Sequence, residues 1–169
     1  MILKSNDIRK INTGLNKAIL LYGKNDGFKA QITAQLIEGR KNIFNYDQYE
    51  ILNDEEKFIE SLLTNSLFED EKTILIKRVN EKIINIIQNI EIHQLDNILI
   101  IIDSDNLDKK SKLRSLFEKS KNFLCIPFYP DNDSTLAKLS YDYLKSREIS
   151  LSTENINLLI SKCNGNRGS

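Results

Sequence analysis

The chain has 169 residues, 40% apolar and 28% charged, with 24 basic side chains against 24 acidic ones. That length holds one α/β domain with little to spare, and the composition is that of a globular protein, neither disordered nor membrane-embedded. Zero net charge speaks against a surface dedicated to coating DNA, which shows as a clear basic excess.

In chain order, Ile8, Ile11 and Leu15 predict a short helical lead-in over 5–16. Ala18-Ile19-Leu20-Leu21-Tyr22 has the length and apolarity of one buried strand. A loop with two glycines follows, then a helix over 28–38 with Phe28, Ile32, Leu36 and Ile37 on one side, stopped at Gly39. Ile43-Phe44-Asn45-Tyr46 predicts a short second strand. Asp54 caps a helix running to about Thr64, with Phe58, Ile59, Leu62 and Leu63 inward. After Ser66-Leu67-Phe68-Glu69-Asp70-Glu71 comes a strand over 73–79. Asn80 then caps a helix carrying Ile83, Ile84, Ile87 and Ile90.

The run Asn97-Ile98-Leu99-Ile100-Ile101-Ile102-Asp103 is the strongest strand, unbroken by polar alternation. Helix 109–120, strand 123–129 and helix 134–146 complete the alternation. Pro127 places its strand at an edge, or at a ladder position that needs no N–H. Ser152 caps a last helix, 153–163, that ends at Gly165. Alternating strands and helices predict an α/β fold, a parallel sheet flanked by helices, over 1–148. Residues 149–169 are then the start of a small helical domain, and the chain is read as the front part of a longer protein.

Strand, glycine loop, helix is how a phosphate-binding domain begins. Counted from Gly23, with Gly27 inside the loop, the Walker A glycine is Phe28, the lysine is Lys29 and the Ser/Thr position is Ala30. Phe28 brings a ring to the place where backbone amides close on phosphate. Ala30 has no hydroxyl for Mg²⁺. Asp103 stands where a Walker B carboxylate belongs, but Ser104 and Asp105 follow it, and the adjacent glutamate that would polarise a water is missing. The plainer reading of Asp103 is a strand end turning with Asp105 and Asn106. The loop reads as a degenerate nucleotide site: no cofactor, no metal and no catalytic residue are expected.

Two cysteines, Cys125 and Cys163, without paired spacing, and one histidine, His93, speak against a zinc site or a disulfide framework. No apolar run approaches the ~18 residues of a spanning helix. No signal peptide is legible at the N-terminus, so a cytoplasmic protein without membrane partners is expected.

Leu67 and Phe68, with flanking Ser66, put two large apolar side chains between a helix and a strand. Either they close the core or they anchor a partner. The same tripeptide at 115–117 is an internal control, because there Leu113, Leu116 and Phe117 have the helical spacing of core residues. The cluster Lys109, Lys110, Lys112, Arg114, Lys119 and Lys121 is a solvated face or, as a lesser alternative, a phosphate-tracking one.

In order, LLYGKNDGF, SLFEDEKTILIKRV, NILIIIDSDNLDKKSKLRSLFE, FLCIPFY and the capped helix ending in CNGNRG resemble the delta subunit of the bacterial DNA polymerase III clamp loader, over about residues 17–168. The resemblance implies an AAA+-like fold without ATPase activity, and docking of the SLF pair in an apolar pocket of the sliding clamp. The pair is Leu67 and Phe68 here. It also implies, for the full-length protein, other clamp-loader subunits and primed DNA as partners. The helical collar through which the family assembles is absent from this chain. The alternative is a small P-loop ATPase or kinase with a variant loop. A third reading, nucleic-acid binding through Lys109 to Lys121, requires salt-sensitive affinity.

Overall fold

The computed structural model describes residues 2–4, 7, 11–65, 71–93 and 97–168. Five strands form one parallel sheet: β1 Ala18–Tyr22, β2 Ile43–Asp47, β3 Lys72–Val79, β4 Ile98–Ser104 and β5 Phe123–Pro127. Their order is β2-β3-β4-β1-β5, every pairing parallel. β1 therefore lies between β4 and β5, and the chain leaves the carboxyl end of β1 at a place where its neighbours diverge in sequence. In open α/β sheets that crevice is where ligands bind. Pro127 does sit on an outer strand, β5.

Helices cover both faces. These are α1 Asp26–Ile37, α2 Gln48–Asn53, α3 Glu55–Asn65, α4 Ile84–His93 and α5 Lys112–Lys119. Successive strand residues point to opposite faces, so β1 is split between two cores. Leu20 and Tyr22 join Phe58, Leu62, Ile87 and Phe117 from the later helices. Ile19 and Leu21 join Phe28 and Ile32 of α1, with Ile101, Ile126 and Phe128. In β4 the five residues from Ile98 to Ile102 are all buried, two on one side and three on the other. Each such side chain contributes about 1.5–3 kcal/mol of transfer free energy. That is why this run reads so plainly as a strand.

Two further helices, α6 Asp133–Ser146 and α7 Thr153–Cys163, follow the sheet. They share a separate small cluster of Leu136, Ile156 and Ile160.

The structure corrects several expectations. Residues 11–16 are coil and turn, not the second half of a helix. The Asn12 side chain accepts from the Gly14 and Leu15 amides, closing a tight turn, and Leu15 is exposed. The helix read over 109–120 begins only at Lys112, because Asp108 holds the Lys110 amide in a turn and Ser111 is the cap. The first helix starts at Asp26, two residues early, capped by Asn25. Helix α2 was not expected. Its capping box, Asp47 with Glu50, is legible in the sequence, but six residues are too few for a periodic pattern.

Candidate functional site

The β1–α1 loop is held by its glycines and one asparagine. Gly23 has φ 129°, and a Cβ there would meet the Phe128 carbonyl oxygen at 2.2 Å, so only glycine fits. Asn25, fully buried, accepts from the Phe28 amide at 3.2 Å and caps α1. Its Nδ2 donates to the Tyr129 carbonyl at 3.2 Å and to Asp131 Oδ2 at 2.8 Å. The Gly27 amide, a donor at the start of the helix, donates to Asn166 Oδ1 at 3.0 Å. A Cβ on Gly27 would lie 2.1 Å from the Gly168 nitrogen. The segment after α7 thus rests directly on the loop. The groups that cradle phosphate in a working loop here bond to the chain's own side chains.

Lys29 and Asp103, expected at the lysine and carboxylate positions, come together. Lys29 is buried, and its Nζ lies 2.7 Å from Asp103 Oδ1, 3.1 Å from Asp26 Oδ1 and 2.9 Å from the Ser104 carbonyl. An ammonium has three N–H donors, and three acceptors surround it. Burial by itself would lower the pKa of this ammonium. The hydrogen bonds and charges of Asp103, then Asp26, outweigh burial and hold it above its ordinary value. Ser104, the residue after the carboxylate, gives its hydroxyl to the Val79 carbonyl at 2.6 Å. It ties β4 to β3 instead of facing the loop. Ala30 lies on α1, exposed and without a hydroxyl to offer.

Phe28 packs edge-to-face on Phe128, centroids 5.1 Å apart. The Arg167 guanidinium lies 3.5 Å from the Phe28 ring centroid. Arg167 also forks onto Asp131, with Nε to Oδ2 at 2.8 Å and Nη2 to Oδ1 at 2.7 Å. Burial of Asp131 would raise its pKa, but the bonds from Arg167 and Asn25 more than reverse that, and its carboxyl sits below its ordinary value. Asn25, Asp131, Asn166 and Arg167 were missed as site residues. Their sequence signal was an N-cap preference at Asn25 and an asparagine-glycine stop after α7. Neither says that residues some 140 positions apart meet.

Ser66, Leu67 and Phe68 lie outside the described residues, as does all of 66–70. Their flanks are well tied. Lys72, buried at the start of β3, donates from Nζ to the Ser61 carbonyl at 3.1 Å and lies 4.5 Å from the Phe44 ring centroid. Glu71 accepts from Arg40 at 3.1 Å, and its carbonyl accepts from Asn42 at 3.2 Å.

Within the lysine-rich stretch, Lys109, Lys110, Lys112, Lys119 and Lys121 are exposed. Arg114 is half-buried, pairs with Glu118 at 2.6 Å and stacks over Tyr22. Cys125 is buried in β5, its thiol pushed up to about 11 by burial, and Cys163, partly buried, is the last residue of α7. His93 is the last residue of α4. Among the described residues, no helix is long and apolar enough to cross a membrane.

No protein-family model matches the chain, and no curated protein matches its sequence. Solved structures do. The chain is similar to the Bacillus subtilis DNA clamp loader delta protein, with a TM-score of 0.57 and 12% identity over 92% of this chain and 51% of that one. It is similar to domain III of the Thermotoga maritima replication initiation protein DnaA, with a TM-score of 0.55 and 14% identity over 97% and 75%. A DNA replication initiation factor matches with a TM-score of 0.56 and 17% identity over 94% and 54%. The fold is therefore the parallel sheet flanked by helices that the sequence predicted, and it is shared with these solved structures. At these identities the likeness is one of fold. The chain spans about half the length of the delta protein.

Proposed function

We propose that this chain acts in DNA replication as a binding subunit of the clamp-loader delta kind, docking on a sliding clamp and using no nucleotide of its own. One observation carries the nucleotide half of this reading. Lys29 and the Gly27 amide, the two donors that a working loop offers to phosphate, are bonded to Asp103, Asp26, Ser104 and Asn166. A P-loop ATPase or kinase would first have to break these bonds and displace Arg167 from Phe28. The fold likeness to a clamp loader delta protein and to replication initiation proteins supports the replication half.

The docking element in this reading is Leu67 and Phe68, with Ser66 beside them. Seating both in an apolar pocket gains about 1.5–3 kcal/mol per side chain before ordering costs. If an opened ring accepts the subunit better than a closed one, that differential affinity favours opening. In a full-length subunit of this kind, other loader subunits and primed DNA would be further partners. Calorimetric titration into the sliding clamp of the same organism, without nucleotide, tests the reading. Binding by the wild type and none by a folded Leu67→Ala/Phe68→Ala protein is the expected result. No binding by folded wild type defeats the clamp assignment, and equal binding by both proteins moves the contact away from 67–68.

A further inference from the structure

Helices α6 and α7 bury only Leu136, Ile156 and Ile160 in their shared cluster, so polar contacts must supply much of their attachment to the sheet. Those contacts converge on the segment just after α7. Asn164 and Gly165 take left-handed conformations, φ 47° and 76°, and turn the chain back toward the loop. The Gly165 carbonyl accepts from the Asp131 amide at 2.7 Å, and a Cβ on Gly165 would lie 2.6 Å from Pro130 Cβ. Asn166 then takes the Gly27 amide. Arg167 follows, its side chain 14% exposed and that of its partner Asp131 9% exposed. It bonds Asp131 through two nitrogens, reaches Gln31 Oε1 from Nη1 at 3.3 Å, and covers the Phe28 ring.

One guanidinium therefore joins three separate stretches: the start of α1, the β5–α6 connection and the tail of α7. We propose that Arg167, with Asp131, Asn166 and Phe28, is a built-in latch that fixes the α6–α7 pair on the α/β body in a single orientation. Its location is the point of the inference. The latch occupies the amide cradle of the degenerate loop, so contacts within the chain bridge body and helices at the place where a bound phosphate would have to sit. It rests on the reading that the loop takes no nucleotide, and it is independent of the clamp assignment. Phe28 at the glycine position is then a platform for the guanidinium. Asn166 supplies to the Gly27 amide the acceptor that a phosphate oxygen supplies elsewhere. The fork and the stack both need a planar guanidinium, so lysine cannot replace it fully.

Amide hydrogen exchange on the whole chain tests this, comparing wild type with Arg167→Ala and with the milder Arg167→Lys. In Arg167→Ala, amides of 153–163 exchange about tenfold faster or more, while those of 18–22 and 98–104 keep wild-type protection. Arg167→Lys gives an intermediate rise in the same segment. Unchanged exchange over 153–163 in both variants, or a rise spread equally over body and helices, overturns the latch. Protection of the loop by added Mg-ATP in wild type would instead defeat the nucleotide-free reading beneath it, and clamp titration reports on neither.

Discussion

The sheet and the α6–α7 pair are held by different forces. In the sheet, β1 and β4 are buried on both faces by two apolar clusters. The helical pair has three buried apolar residues and a polar network of Asn25, Asp131, Asn166 and Arg167. Apolar burial is indifferent to pH and tolerant of small displacement. A guanidinium–carboxylate fork is neither, since it needs both charges and a fixed geometry. The body should then fail as a whole, and the pair should come loose by itself.

The largest expected effect is in the sheet. Ile101→Ala, at a fully buried β4 position, should cost about 2–5 kcal/mol. Urea unfolding should show a lower midpoint, with body and helices lost together. Next comes Lys29→Met, which keeps the buried stem and removes the ammonium. Because Asp103 is 42% exposed and Asp26 71%, water recovers part of the loss. A cost of about 1–2 kcal/mol is expected, less than for a fully buried pair. A change above ~3 kcal/mol would mean that the strut matters more than its exposure suggests.

Arg167→Ala is expected to cost about 1–2 kcal/mol, felt over 153–163 before 98–104. Acid should act on the same joint. Asp131 titrates below its ordinary value when folded, so its contribution is full above the unfolded carboxylate pKa of about 3.9 and is lost as pH falls through the folded value. Protection of the α7 amides, taken relative to their intrinsic exchange rates at each pH, should therefore fall below about pH 4 in wild type. In Asp131→Asn the same protection should be low already at pH 7. A wild-type acid response that survives in Asp131→Asn would assign it to other carboxylates.

The smallest effect is expected at Tyr22. Its hydroxyl is buried without a hydrogen-bond partner among the described residues, and burial pushes its pKa up to about 12. Tyr22→Phe removes that unsatisfied group and should be neutral or stabilising by up to about 1 kcal/mol. A clear loss of stability would show that the hydroxyl has a partner after all.

The body was legible because long apolar runs and capped amphipathic stretches leave few alternatives. β1 and α7 were placed to the residue, and the strand read as the strongest is the central β4. Short elements were not legible. Six residues of α2 hold too little periodicity, and the Asn12 turn won over the helical spacing of Ile11 and Leu15 through two local bonds to one side-chain oxygen. The residues at Phe28 and Ala30 raised the expectation of an altered cradle. What fills it was hidden, because Asn166 and Arg167 reach Gly27 and Phe28 only after the whole sheet has formed between them. Ser66, Leu67 and Phe68 remain a reading of the sequence.

The claim at the centre is that the chain's own side chains occupy the amide cradle of the β1–α1 loop, leaving no room there for phosphate. Equilibrium binding of Mg-ATP to the intact chain tests it most directly. The account predicts no saturable binding at millimolar nucleotide, in wild type and Lys29→Met alike. Saturable, Mg²⁺-dependent binding by wild type that disappears in a folded Lys29→Met protein would contradict it.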